Sequence, residues 1–223
     1  MMFVFHFSYD LSFFGYVEIN FLEEPFWANF RRIIVSSFLL LVGISIVLAN
    51  RKPLNIKRFT RRLTLLIGYA FLVTLGSYFM FPESFIYFGI LHFIVVASVF
   101  GLLFRKFYWF NLTFGIGLVL LDSLYSNTLF NDPAINWLGL MTYLPYTEDY
   151  VPLIPWFGVV LIGMFIGKAF FTANNTPKWL VWKATNPITK TLAFGGRHSL
   201  HIYILHQPIF IGLIALVSGK GFF

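Results

Sequence analysis

Residues 30–49 read Phe-Arg-Arg-Ile-Ile-Val-Ser-Ser-Phe-Leu-Leu-Leu-Val-Gly-Ile-Ser-Ile-Val-Leu-Ala, a run whose only charges are the two arginines near its start. As an α-helix this run would rise about 30 Å, which matches the hydrocarbon thickness of a bilayer. Similar apolar runs recur along the whole chain. The sequence therefore predicts an all-α integral membrane protein.

The composition of the 223-residue chain agrees with this class, because 58% of its residues are hydrophobic and only 11% are charged. Soluble domains carry about 25% charged residues. The absence of cysteine excludes disulfides, thiolate catalysis and cysteine-bound metals. The spacings of the five histidines match no compact ligand motif, so no metal is expected. The net charge is +7, but the basic residues lie between apolar segments, which argues against a nucleic-acid partner.

Seven apolar segments predict a polytopic bundle of about seven transmembrane helices that forms one domain over residues 1–223. The segments are 1–16, 30–49, 63–81, 84–104, 107–125, 152–171 and 198–218. The first reaches only about 24 Å as a helix, so we expect this span to be truncated at its N-terminal end. The loop at 126–151 is rich in Asn, Pro, Asp, Tyr and Trp, which predicts an ordered polar lid.

The charges predict the orientation of these spans. Thirteen of the 16 basic residues lie in or beside the even-numbered loops, which contain no acidic residue. They are Arg51, Lys52, Lys57, Arg58, Arg61, Arg62, Arg105, Lys106, Lys168, Lys178, Lys183, Lys190 and Arg197. By the positive-inside rule these loops and the N-terminus are cytoplasmic. Residues 177–183 alternate tryptophan with lysine and predict an interfacial anchor on the same side.

Ionisable residues within the first span are the first candidates for chemistry. His6 and Asp10 lie four residues apart, which places them on one face of a helix. Such groups are rare at membrane depth and usually face a bundle interior or a wet cavity. A structural hydrogen bond between helices is the alternative to a functional role.

The seventh span carries a second polar stripe, because Ser199, Tyr203 and His206 recur at helical spacing. His206 lies about 12 Å from the cytoplasmic end of its span, and His6 about 15 Å from the outer end of the first. The two imidazoles are therefore predicted to share the middle of the bilayer. Pro208 removes a backbone donor and predicts a kink or a hydrated position just past His206.

Other candidates lie towards the two faces of the membrane. His92 of the fourth span is predicted to reach the same layer, with a packing role as the alternative. At the outer mouth, a set of charged and phenolic side chains offers either contacts to a polar acceptor or mutual pairing. The set comprises Arg31, Arg32, Asp122, Asp149 and Tyr150. At the cytoplasmic end, Gly196 and Arg197 provide close backbone approach and a fixed cation, which suit a phosphate.

Several strings along nearly the whole chain carry a resemblance to a known family. They are residues 5–11, 26–27 with 30–32, 38–45, 89–92, 149–158 and 196–208. In order and spacing these strings resemble a bacterial membrane family of unknown function that is related to the catalytic domain of heparan-α-glucosaminide N-acetyltransferase.

This resemblance implies a multi-span acyltransferase of the bacterial inner membrane. The donor substrate would be acetyl-CoA or another acyl-CoA at the cytoplasmic face, and the acceptor a sugar amine or hydroxyl at the outer face. Catalysis is assigned to His6 as general base, with Asp10 orienting it and His206 nearby. The coenzyme A contacts are assigned to Gly196, Arg197, Ser199 and Tyr203. The acceptor contacts are assigned to Arg31, Arg32, His92, Asp149 and Tyr150.

Two other classes of function are consistent with the same residues. A proton-coupled small-solute transporter would use the histidines and Asp10 as a proton relay, although no internal repeat supports it. An accessory structural subunit would need none of these groups. In every case we expect the protein to be surrounded by membrane lipid. A homo-oligomer is consistent with each of these classes.

Overall fold

The computed structural model describes residues 1–21, 23–49, 55–171 and 184–218. These residues form eight α-helices and two short 3-10 helices, and contain no β-strand. The α-helices are α1 (Met2–Phe13), α2 (Pro25–Ala49), α3 (Ile56–Met80), α4 (Ile90–Phe104), α5 (Trp109–Leu124), α6 (Leu153–Phe170), α7 (Pro187–Arg197) and α8 (Ser199–Ser218). The predicted all-α fold is confirmed.

Four helices of the described part of the chain, α2, α3, α6 and α8, are long and apolar enough to cross a membrane. Helices α4 and α5 are apolar but shorter. Many large apolar side chains point outwards, among them Phe79, Leu103 and Leu120. Such surfaces are unfavourable in water and favourable in lipid. The number of seven spans and the cytoplasmic N-terminus stay predictions.

One helix begins later than the apolar pattern of 84–104 predicts. Helix α4 starts only at Ile90, because the backbone before it bonds to a distant loop instead of continuing a helix. The amide of Glu148, for example, donates to the carbonyl oxygen of Ser84 at 2.9 Å. Apolar periodicity does not reveal such a partner, which lies more than 60 positions away.

Helix α7 was not predicted, because it is short and contains few apolar residues. Its start nevertheless has a clear cause. The side chain of Asn186 accepts a hydrogen bond from the amide of Thr189 at 2.8 Å, and Pro187 occupies the first helical turn. Both features favour a helix N-terminus. The predicted anchor at 177–183 and four basic residues of the charge pattern lie outside the described residues: Arg51, Lys52, Lys178 and Lys183.

The chain divides into two compact units. The terminal unit comprises Met1–Val35 and Lys178–Phe223, and the central unit comprises Ser36–Pro177. The former contains α1, α7, α8 and the start of α2, and the latter contains the rest of α2 with α3 to α6. Whether the chain is one functional domain stays a prediction.

Glycines allow the helices of the central unit to approach closely. A methyl group at Gly158 of α6 would overlap the backbone oxygen of Gly115 on α5, and one at Gly163 would overlap that of Leu40 on α2. A methyl group at Gly43 of α2 would likewise collide with the backbone of α6. Lipid tails are as apolar as leucine, so helices in a bilayer associate through close packing of this kind.

Gly163→Ala should destabilise the central unit. The added methyl group would meet backbone rather than a flexible side chain, and overpacking of this kind costs about 1–3 kcal/mol. Thermal unfolding of the purified protein in detergent, followed by tryptophan fluorescence, measures the change.

Gly76→Ala on α3 is the matched control, since no described atom lies within 4 Å of a methyl group built there. It should leave the midpoint unchanged or raise it through better helix propensity. Equal midpoints for the two variants would show that the close contact at Gly163 does not matter.

Candidate functional site

Helices α1 and α8 of the terminal unit bring four polar side chains together. Asp10 and His6 come from α1, and His206 and Gln207 come from α8. Aromatic rings hold the two helices beside one another: Phe3 and Phe7 of α1 each lie within 6 Å, centroid to centroid, of Phe210 on α8.

The direct polar link between the two helices is a hydrogen bond. Nε2 of Gln207 donates to Oδ1 of Asp10 at 2.7 Å, and only 3% of the Asp10 surface is exposed. Within the described residues the hydrogen-bond partner of Asp10 is Gln207, and the predicted orientation of His6 by Asp10 stays a prediction. Helical spacing places His6 and Asp10 on one face, but the carboxylate turns to the amide donor that α8 supplies.

Gln207 was missed as a candidate by sequence reasoning. The sequence does contain a feature that indicates it. Gln207 carries an amide within an apolar segment and follows Tyr203 by four residues, which places it on the face of the predicted stripe. A polar amide at that depth requires a partner.

His206 is buried, with 6% of its surface exposed, and is surrounded by rings. Ring centroids lie at 4.8 Å for His6, 5.5 Å for Tyr203, 5.7 Å for Phe3 and 5.8 Å for Phe210. The structure thus brings the two predicted imidazoles together.

The tautomer of His206 follows from its hydrogen bond. Its Nδ1 lies within hydrogen-bond distance of the backbone oxygen of Tyr203. A carbonyl oxygen can only accept, so Nδ1 carries the proton and donates it. In the neutral ring Nε2 is then left with its lone pair. This nitrogen is the atom of the cluster that can accept a proton.

Three buried atoms of the cluster have no hydrogen-bond partner among residues 1–21, 23–49, 55–171 and 184–218. They are Oδ2 of Asp10, Nε2 of His206 and Oε1 of Gln207, here termed the open acceptors. All three accept hydrogen bonds, provided that Asp10 is ionised and His206 neutral. The cluster therefore favours a partner that donates.

His6 is half-buried, and Arg31 near the start of α2 acts on it electrostatically. Arg31 is also half-buried. Arg32 is exposed and donates from Nη1 to Oδ1 of Asn29 at 3.4 Å. Of the two arginines predicted to meet the acceptor, Arg31 is thus the one that interacts with His6.

The predicted coenzyme A residues lie along a gradient of exposure. Gly196, Arg197 and Ser199 are exposed at the junction of α7 and α8, whereas Tyr203 is half-buried beside His206. Nε of Arg197 donates to the carbonyl oxygen of Ala193 at 3.2 Å, and a cation at the end of a helix is favourable. The predicted inward stripe thus begins at the surface with Ser199 and becomes buried at His206.

His92 belongs to the central unit, where both of its ring nitrogens are engaged. Nδ1 accepts from the amide of Gly89 at 3.3 Å, and Nε2 lies 3.1 Å from Oγ1 of Thr74. Because Thr74 itself donates to the carbonyl oxygen of Ile86, its oxygen accepts from Nε2. These contacts account for His92 through packing of α3 against α4; its role with an acceptor stays a prediction.

Asp149 and Tyr150 tie the loop before α6 to the rest of the central unit. Oδ2 of Asp149 accepts from the amide of Ile90 at 2.8 Å. The hydroxyl of Tyr150 donates to the backbone oxygen of Asn136 at 2.6 Å, and Nδ2 of Asn136 donates to the hydroxyl of Tyr87 at 2.8 Å. Both side chains thus form hydrogen bonds within the central unit. Their contact with an acceptor stays a prediction.

Burial raises the pKa of the Tyr150 hydroxyl well above its ordinary value, and the neighbouring Tyr87 and Asp122 raise it further. Burial also raises the pKa of Tyr87. In the part of the chain that the structure describes, no group of three or more histidines or carboxylates could hold a metal ion.

The long apolar helices indicate an integral membrane protein. Its buried polar cluster is formed by side chains of α1 and α8 and is the candidate site. The family described as "Heparan-alpha-glucosaminide N-acetyltransferase, catalytic" matches residues 1–208. The chain belongs to this family, and the relationship predicted from the strings is confirmed. No curated protein and no solved structure matches the chain.

Tyr150→Phe should change how stability depends on alkaline pH. The folded protein holds the Tyr150 proton to a higher pH than the unfolded chain does, so stability is fully present below about pH 10 and falls above it. The slope contributed is up to about 1.4 kcal/mol per pH unit. Unfolding midpoints in detergent between pH 9 and 11 should fall less steeply in the variant.

The same variant should lose about 1 kcal/mol at pH 7, because it lacks the hydrogen bond to Asn136. Tyr146→Phe changes an exposed tyrosine of the same loop and should keep the alkaline slope of the wild type. Identical slopes for Tyr150→Phe and wild type would contradict the assignment.

Proposed function

We propose that this protein is a membrane-embedded acyltransferase that moves an acyl group, in the first place acetyl, from acetyl-CoA or another acyl-CoA to a sugar amine or hydroxyl. Membership of the family implies a membrane enzyme of the acetyltransferase type. One observation carries the proposal: Nε2 of His206 is buried and has a free lone pair. The hydrogen bond from Nδ1 to the backbone oxygen of Tyr203 fixes this tautomer.

The reaction requires a base near the acceptor. The nitrogen or oxygen of the acceptor attacks the thioester carbon, the carbon–sulfur bond breaks, and the thiolate of coenzyme A leaves. The acceptor loses a proton to Nε2 of His206, and the thiolate takes up a proton to become the free thiol. His206 has the better defined tautomer and is the stronger candidate for the base, whereas His6 lies against it at 4.8 Å.

The donor is proposed to reach this base along the stripe of α8. Arg197 supplies a cation for the phosphates of coenzyme A, and the exposed backbone at Gly196 leaves room for them. Ser199 and Tyr203 lead from there to His206 and would line the path of the pantetheine arm. The acceptor would meet Arg31, which interacts electrostatically with His6.

The setting is proposed from the charge pattern and the resemblance together. Basic loops and the N-terminus would face the cytoplasm of a bacterial inner membrane, so that the donor is taken from the cytoplasmic side. The acceptor would then be modified at the outer face.

His206→Ala should reduce acyl transfer by about 10²–10⁴-fold, the usual contribution of a general base. Purified protein in nanodiscs is supplied with acetyl-CoA and glucosamine, and release of the free thiol is followed with a thiol reagent. The chain contains no cysteine, so the reagent reports coenzyme A alone.

His201→Ala on the exposed face of α8 is the matched control and should retain wild-type turnover. His6→Ala should lower turnover less than His206→Ala; the reverse order would assign the base to His6. Saturable sugar uptake driven by a pH gradient, without any thiol release, would contradict the proposed function in favour of a transporter.

Arg197→Ala should raise the KM for acetyl-CoA by about tenfold, since a charge-assisted hydrogen bond to phosphate would be lost. The KM for the acceptor should stay within twofold. Arg58→Ala removes an exposed cation from the central unit and controls for general charge effects. An unchanged KM for acetyl-CoA in Arg197→Ala would remove Arg197 from the donor contacts.

A further inference from the structure

We propose that Asp10 and Gln207 bind the reacting amine of the acceptor, and that Gln207 is a substrate-binding residue of this enzyme. This inference rests on the proposed function and names the part of the terminal unit that takes the acceptor. It differs from the sequence prediction, which placed the acceptor on Arg31, Arg32, His92, Asp149 and Tyr150.

The orientation of the Gln207 amide is the first step. Its Nε2 lies 2.7 Å from the Asp10 carboxylate, so the amide group that faces Asp10 must be the donor. The flipped amide would set two acceptor oxygens against each other. Oε1 of Gln207 therefore points away from that bond and is one of the open acceptors.

The energetics of the open acceptors are the second step. A buried acceptor without a partner costs about 1–3 kcal/mol, and a charged one costs more. Three such atoms belong to one pair of contacting helices, on side chains that are 97% buried for Asp10 and 94% buried for His206. A ligand that supplies donors to all three removes this cost when it binds.

The chemistry of the ligand is the third step. Carboxylate, amide oxygen and imidazole nitrogen all accept, so they match a group with several N–H or O–H donors and repel phosphate. The Asp10 carboxylate specifically favours an ammonium group. The rings of Phe3 and Phe210 lie 5.7 and 5.8 Å from that of His206, and aromatic rings attract cations. An amino sugar has all of these features.

This arrangement also balances the protons of the transfer. The acceptor ammonium, held by Asp10 and Gln207, gives one proton to Nε2 of His206, and the freed lone pair attacks the thioester carbon. A second proton goes to the departing thiolate, and the third stays on the amide nitrogen of the product. Asp10 stays ionised throughout and keeps the amine beside the base.

Gln207→Met tests this assignment, because it keeps the length of the side chain and removes both amide functions. Its KM for glucosamine should rise at least tenfold, whereas its KM for acetyl-CoA should stay within twofold. A purely structural role would lower turnover or yield and would not separate the two KM values. Equal KM values for glucosamine in wild type and variant, or a rise only for acetyl-CoA, would overturn the proposal.

Gln207→Glu provides a second measurement if the methionine variant is not recovered. It keeps an oxygen towards the ligand but places a second carboxyl beside Asp10, so the two groups share one proton. Its kcat/KM for glucosamine should therefore change with pH differently from that of the wild type. A profile identical to the wild type would overturn the proposal. Ser98→Ala removes a buried hydroxyl from the central unit and is the control for loss of a buried polar atom.

Binding without turnover separates this inference from the proposed function. Glucosamine alone, without acetyl-CoA, should raise the unfolding temperature of the wild type, and N-acetylglucosamine and glucose should raise it less. The effect should require at least tenfold more glucosamine in Gln207→Met. If this difference is seen but no thiol is ever released, the amine site stands and the proposed function fails. If glucosamine stabilises both proteins equally, or neither, the amine site is overturned.

Discussion

The hydrogen bond between Gln207 and Asp10 is the constraint on which the terminal unit depends. A buried carboxylate is costly unless hydrogen-bond donors reach it, so the protein itself must supply them. Helix α1 has only 12 residues, and it meets α8 through this bond and a small set of aromatic rings. The carboxylate is thus tolerated because one amide from the other end of the chain reaches it.

The central unit is held together by a different means. Its helices approach through glycines, where backbone meets backbone, and its loops are joined by hydrogen bonds of neutral groups and of the Asp149 carboxylate. Among the described residues, the fully buried carboxylate belongs to Asp10 of the terminal unit, whereas Asp149 of the central unit is half-buried. The contrast explains why the polar cluster of α1 and α8 stands out as the candidate site: it carries open acceptors on ionisable side chains, where the central unit has chiefly close packing.

The fold class and most helices could be predicted from the sequence, because apolar runs of bilayer length have few alternatives in a protein. The late start of α4 could not, since it depends on a loop some 60 positions further along that takes over its backbone groups. For the site, the similar predicted depths of His6 and His206 in their apolar segments led us to expect their meeting, and their ring centroids lie 4.8 Å apart. The partner of Asp10 was missed because periodicity describes one helix at a time and does not say which neighbour a side chain turns to.

Asp10 and Gln207 are separated by 197 positions, and this separation sets the order in which the protein can be completed. At about 5–20 residues per second, the ribosome needs roughly 10–40 seconds to make the second residue after the first. During that time the carboxylate of α1 is without its amide donor, and an unpaired carboxylate is costly to bury. Helix α1 is therefore expected to complete its contacts only after α8 has been made, so the terminal unit should form later than contacts among the helices between them.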